Sequence, residues 1–202
     1  MKKEIKKEEI LKVAENLFVE KGFEGTSVRE LTKAAGVNTA MISYYFGSKE
    51  GLLEEIVRRR AGYSKLKLEA MLGRDELTAL QKLEHIIDFY VDKVFKNRKY
   101  HLMLYRELTF SQRKDMHFTI MEIINRNWEI FRNTVNEGVK SGEFKPNIEI
   151  DFLILTVFGL INQYSRKELV NNFCPEISPL KEEDARARLK DYLKKLLQLQ
   201  LI

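Results

Sequence analysis

Apolar side chains recur at helical spacing along almost the whole chain, and nowhere do they alternate long enough to draw a strand. Ile10, Val13, Leu17 and Phe18 share one face and predict an amphipathic helix over residues 4–21, ended by Gly22. In TSVRELTKAAG, Ser27 with Glu30 three residues on has the form of a capping box, Thr26 is the competing cap, and Gly36 is the stop. A two-turn helix follows from Asn38 to about Tyr45, and Ser48 caps the next one, which runs to about Leu72. Leu80, Leu83, Ile87, Tyr90 and Val94 mark a helix over 76–96, and a short one is expected over 99–109. Ile120, Ile124, Trp128, Phe131, Val135 and Val139 form a stripe from about 114 to 140, closed by SGEFKP. EIDFLILTVFGLINQY is apolar on nearly all sides, which implies burial on more than one face. LKDYLKKLLQLQLI is amphipathic again, with Leu189, Leu193, Leu196 and Leu197 on one side. The predicted fold is all-α, with about nine helices.

Two of these helices, Ser27–Ala35 and Asn38–Tyr45, are joined at Gly36-Val37, and a glycine in so short a connection is the sequence form of a helix-turn-helix. Ala34 and Ala35 are small enough for close approach, while Val37 and Ile42 are expected to face inward with Phe46 plugging the same small core. A helix of two turns does not sustain itself in water, because nucleation consumes most of what its few hydrogen bonds return. It cannot bury Ile42, Phe46 and both tyrosines at once, so Thr39, Ala40, Ser43, Tyr44 and Tyr45 are left for a partner. Short side chains and hydroxyls allow a helix to approach base edges, and methyls can touch thymine. Consecutive tyrosines point about 100° apart, so one can reach base or sugar while the other meets a phosphate. Lys49, just after Ser48 at a helix start, adds an ammonium to free backbone N–H groups, a combination that suits a phosphate.

Composition and charge refine this only modestly. With 44% hydrophobic and 32% charged residues the chain is globular rather than disordered. Its three prolines, Pro146, Pro175 and Pro179, all lie late, so nothing interrupts helices before Lys145. The net charge of +5 favours an anionic partner only mildly. Between Thr26 and Lys49, Arg29, Lys33 and Lys49 stand against Glu30 alone, a net of +2, and Lys2, Lys3, Lys6 and Lys7 add cations at the N-terminus, offset in part by Glu4, Glu8 and Glu9. So thin a patch implies weak binding by one copy and calls for a dimer, whose two reading helices would lie about 34–36 Å apart on a near-palindromic duplex.

Cys174 is the single cysteine, which suits a reducing cytosol. The first twenty residues are too charged for a signal peptide, and the uncharged, largely apolar run from Phe152 to Ser165 is too short to span a bilayer. A cytoplasmic protein with no membrane partner is expected. No Ser/His/Asp grouping, phosphate-cradling glycine loop or paired-carboxylate signature is recognisable, so neither an enzyme nor a cofactor is expected. His85, His101 and His117 are sixteen residues apart with no second ligand nearby, so no metal site is expected either.

The stretch LFVEKGFEGTSVRELTKAAGVNTAMISYYFGSKEGLLEEIV resembles the N-terminal DNA-binding domain of the TetR family of transcriptional regulators. The resemblance covers residues 10 to about 57. It rests on Phe18, Gly22-Phe23, Thr26-Ser27-Val28, Ala34-Ala35-Gly36-Val37, Tyr44-Tyr45-Phe46 and Ser48-Lys49-Glu50 with Leu52-Leu53, in order and at family spacing. It implies a three-helix DNA-binding domain at 1–50 and a helical ligand-binding and dimerisation domain at 51–202. It further implies contacts to bases and backbone from Asn38, Thr39, Ala40, Ser43, Tyr44 and Tyr45, with Thr26, Ser27 and Lys49 near phosphates. Thr39 stands where the family often has Lys or Arg, and Ala40 where Gly is frequent. Losing one cation lowers the expected salt slope by roughly 0.9.

For an unknown small effector, the aromatic and polar residues among the apolar stripes are the candidates: Tyr90, His101, Tyr105, Trp128, Phe131, Phe158 and Asn162. A buried Trp128 needs a partner for its indole N–H, and Asn162, with Gln163, is costly in an apolar helix unless it bonds to a ligand or across a subunit seam. The apolar surface of residues about 150–172 and 183–201 exceeds what one subunit covers, which implies a homodimer. The reading is a homodimeric regulator of double-stranded DNA, a repressor released by a small hydrophobic ligand. Two alternatives stand beside it: a DNA-binding activator or architectural factor without effector, and a helical interaction dimer that has lost DNA binding.

Overall fold

Ten helices follow one another in a computed structural model that describes residues 2–73, 76–110 and 113–202. They are α1 (Lys2–Lys21), α2 (Val28–Ala35), α3 (Thr39–Phe46), α4 (Lys49–Leu72), α5 (Ala79–Lys96), α6 (Arg98–Phe110), α7 (Lys114–Ser141), α8 (Ile150–Tyr164), α9 (Lys167–Phe173) and α10 (Glu182–Leu201). The side chains of residues 2–5 and 110 are outside the description, and with them the cations Lys2 and Lys3. The all-α expectation holds, and no strand occurs among the described residues. The count is ten rather than about nine because α9, which buries none of its residues, leaves no apolar stripe to read. Helix α5 begins at Ala79 rather than 76, where Thr78 and Gln81 form a reciprocal capping box.

The chain divides into two compact units, residues 1–65 with 99–123, and residues 66–98 with 124–202. In the first, Ile10, Leu11, Ala14 and Phe18 of α1, Leu31 of α2, Ile42 of α3 and Leu52, Leu53, Ile56 and Val57 of α4 are buried. Met103 of α6 and Met116 and Ile120 of α7 are buried in the same unit. Each such side chain contributes on the order of 1.5–3 kcal/mol on leaving water. That burial lets an eight-residue helix such as α3 persist.

In the second unit α5 packs against α10 and α8. Leu83, Ile87, Val91 and Val94 belong to one buried cluster with Leu189, Leu193 and Leu197 of α10 and Leu153, Ile154, Val157 and Ile161 of α8. Charges line the same α5–α10 seam: Lys194 meets Asp88 at 2.8 Å and Lys190 meets Asp92 at 2.7 Å. The start of α5 receives a second cap from Glu143, whose carboxylate accepts the Ala79 and Leu80 amides at 2.8 and 2.9 Å. Gly138 of α7 lies against the buried Phe144 ring, where even a methyl group would collide.

Candidate nucleic-acid interface

The local chemistry of α2 and α3 is that of two short helices, each closed at both ends. Ser27 accepts the Glu30 amide at 3.2 Å and starts α2. Glu30 does not complete the expected box alone. Its carboxylate pairs with Lys21, which holds it below the usual carboxylate range, and the Ser27 amide adds to that effect. Gly36 ends α2 in the left-handed region (φ 61°, ψ 40°), where its lack of a side chain removes the steric cost, and the Val37 amide returns to Thr32 O at 3.0 Å. Asn38 then caps α3, accepting the Met41 amide on Oδ1 at 3.0 Å. Ser48 accepts the Gly51 amide at 3.0 Å and starts α4.

On α3 only Ile42 is fully buried. Thr39, Ala40, Ser43 and Tyr44 are exposed along one side, Tyr44 to 70%. Tyr45 is half-buried and meets Tyr44 edge-on, with ring centroids 5.1 Å apart. Asn38 and Ser27 are exposed at the two helix starts. Val37 and Phe46, expected inside, are each only half-buried; Phe46 carries the Lys7 ammonium 5.8 Å above its ring.

Two residues expected near phosphates turn inward instead. Thr26 is fully buried, and its hydroxyl donates to Gly22 O at 2.8 Å and Leu17 O at 3.3 Å, so it braces the α1–α2 turn. Lys49 donates to Phe23 O at 3.1 Å and Thr26 O at 3.0 Å, with its ammonium 4.0 Å from the Phe23 ring centre. Both donate to backbone carbonyls at the end of α1 and in the turn that follows it.

The candidate ligand residues divide. Tyr90, Trp128, Phe131 and Phe158 all belong to the second unit, with Phe158 edge-on to Tyr90 at 5.1 Å and to Phe131 at 5.8 Å. Burial pushes the Tyr90 phenol well above its usual range, offset in part by the charge of Arg126, so Tyr90 is a neutral core phenol. His101 and Tyr105 are on α6 in the first unit and do not join that cluster, and Asn162 lies exposed on α8. Among the described residues no group of three His, Cys, Asp or Glu side chains could hold a metal ion.

Sequence reasoning missed Arg113, Glu24 and Glu107. Arg113 bridges both carboxylates and lies 4.1 Å over the Phe23 ring. No local pattern announces a contact between residues 89 positions apart.

Two capped short helices around a left-handed glycine, the second offering hydroxyls and a phenol, define the class of helix-turn-helix proteins. Residues 10–56 match the bacterial regulatory proteins of the tetR family, and residues 65–196 match the C-terminal region of YsiA-like proteins. The chain therefore belongs to the TetR family of transcriptional regulators. It is 36% identical to the probable HTH-type transcriptional regulator YttP of Bacillus subtilis over 68% of this chain and 67% of the relative. It is 25% identical to the fatty acid metabolism regulator protein of the same organism, over 77% and 79%. Its fold resembles that of the B. subtilis transcriptional regulator FadR in complex with stearoyl-CoA, with a TM-score of 0.74 at 21% identity, over 92% and 96%. These relatives are regulators of transcription, not enzymes. No helix among the described residues is long and apolar enough to cross a membrane.

Proposed function

We propose that the chain is a homodimeric repressor that binds a near-palindromic operator in the cytoplasm and leaves it when a small hydrophobic ligand binds. The observation that carries this is α3, a helix with one fully buried residue and an open side of Thr39, Ala40, Ser43 and Tyr44. These are assigned to the major groove, with Asn38, Ser27 and Tyr45 at the backbone beside them. Thr26 and Lys49 are assigned to the frame that holds the helix rather than to the DNA. The reading head is placed at residues 1–50, and ligand binding and dimerisation at 51–202.

Dimerisation is assigned to the exposed sides of α8 and α10. Phe152 is 70% exposed, and Leu155 is also open on α8, where they share a face with Gly159 and Asn162 at i+3 and i+4 spacing. Tyr192 and Leu199 are exposed on α10, the latter to 76%. Large exposed apolar side chains in such a row mark an interface. The effector is assigned to the aromatic group of Tyr90, Trp128, Phe131 and Phe158. The fatty acid regulator and the stearoyl-CoA complex among the relatives support an apolar, chain-like ligand. A ligand can displace the operator only through different affinities for the bound and released forms.

The test is selection of bound duplexes from a random DNA pool at two salt concentrations. Recovery of a near-palindrome with salt-sensitive affinity is expected. Recovery of nothing specific by folded dimer would instead favour a protein-interaction role.

A further inference from the structure

Arg113 lies far in sequence from the reading helix and has no place in the DNA-contact scheme above, yet it holds the turn on which that scheme depends. Its guanidinium donates to Glu107 on α6, a residue only 7% exposed, and to Glu24 in the α1–α2 turn. The same group lies 4.1 Å over the ring of Phe23, itself 3% exposed. Lys49 rests on that ring as well and donates to the carbonyls of Phe23 and Thr26, the two residues that lead into the Ser27 cap. One turn, residues 22–26, thus receives a cation from the start of α4 and another from the connection between α6 and α7.

Apolar packing alone does not seal this turn to α6. A groove of about 590 Å³ runs along it, lined by Phe18, Phe23 and Gly25 on one side and Leu102, Met103 and Glu107 on the other. Arg113 spans the groove from α6 to the turn. A planar guanidinium suits that place, because it pairs with two carboxylates in fixed directions and stacks on a ring at the same time.

We propose that Arg113 is a positioning residue for DNA recognition: it clips the α1–α2 turn to α6 through Glu24, Glu107 and Phe23 and so fixes the frame that holds α2 and α3. The proposal rests on the reading of α3 as the DNA-contacting helix.

The experiment measures full-length protein against the duplex recovered by selection, by fluorescence anisotropy over a series of salt concentrations, with a melting curve for each variant. Arg113→Met is expected to weaken specific binding about tenfold, comparable to one well-placed base contact. The salt slope should stay unchanged and the preference over random duplex should shrink, while Arg113→Lys recovers part of the loss. Wild-type affinity in Arg113→Met overturns the proposal. So does a slope lower by roughly 0.9, which would make Arg113 a direct phosphate contact. So does an affinity loss that merely follows the unfolded fraction and is equal in the lysine variant. Should Arg113→Met fail to fold, Glu24→Gln removes the exposed end of the clip and carries the same expectations. A wild-type protein that selects no duplex sinks the DNA reading and this proposal together; a variant that binds like wild type sinks this proposal alone.

Discussion

Tyr44 holds one of the largest exposed side-chain surfaces on the first unit, at 70%, on a helix that buries only Ile42 fully. Replacing it should therefore cost little stability and much recognition. Tyr44→Ala is expected to weaken operator binding by about tenfold or more. Its melting temperature should stay near wild type, since exposed substitutions change stability by about 0.5 kcal/mol or less. A variant that unfolds would show the ring to be core. Two single residues also make contacts that the sequence does not announce. Thr26 and Lys49 have the types and spacing of phosphate ligands, but their partners are carbonyls at Leu17, Gly22, Phe23 and Thr26. A backbone acceptor contributes no letter of its own to a motif, so such contacts stay hidden until the turn is folded.

Helix ends were more legible than helix partners. Ser27, Gly36 and Ser48 act within three or four residues of themselves, and their roles were readable for that reason. The cap that Glu143 supplies to α5 comes from 64 residues away and was not. Burial raises the tendency of this carboxyl to take a proton, but the Leu80 and Ala79 amides, with Thr78 and Lys82, outweigh it and hold the group below its ordinary value. A depressed folded value means the stabilising contribution is complete above the unfolded carboxyl value, about 4.3, and fades as pH falls through the lower folded value. Glu143→Gln should accordingly be less stable than wild type at pH 7, by about 1 kcal/mol. The gap should close in the acid range below 4.3. Thermal melts at pH 7 and in that acid range would show it, and a gap of constant size would remove Glu143 from that role.

At the scale of the whole molecule, the expected homodimer depends on α8 and α10, whose periodicity could be read in advance but whose open side could not. The structure buries Leu153, Ile154, Val157 and Ile161 and leaves Phe152 and Leu155 out, a distinction that an almost wholly apolar stretch does not encode. Phe152→Glu would place an unpaired carboxylate in the seam, and such burial costs several kcal/mol. The dimer dissociation constant should rise at least about a hundredfold, with wild-type helicity retained. Sedimentation at micromolar concentration decides between a monomeric variant and an unaffected one; a wild-type monomer would overturn the assignment.

The first unit draws on two separated stretches of chain, residues 1–65 and 99–123. Met103, Met116 and Ile120 lie within its buried interior, and Arg113 clips its first turn. Anyone grafting this whole unit onto a foreign sensor would be moving a part that is not contiguous. A cassette cut at residue 65 would carry α1, α2 and α3 but leave behind the buried Met103, Met116 and Ile120 and the Arg113 contact to Glu24. A working chimaera would have to exchange residues 66–98 and 124–202 around a retained 99–123.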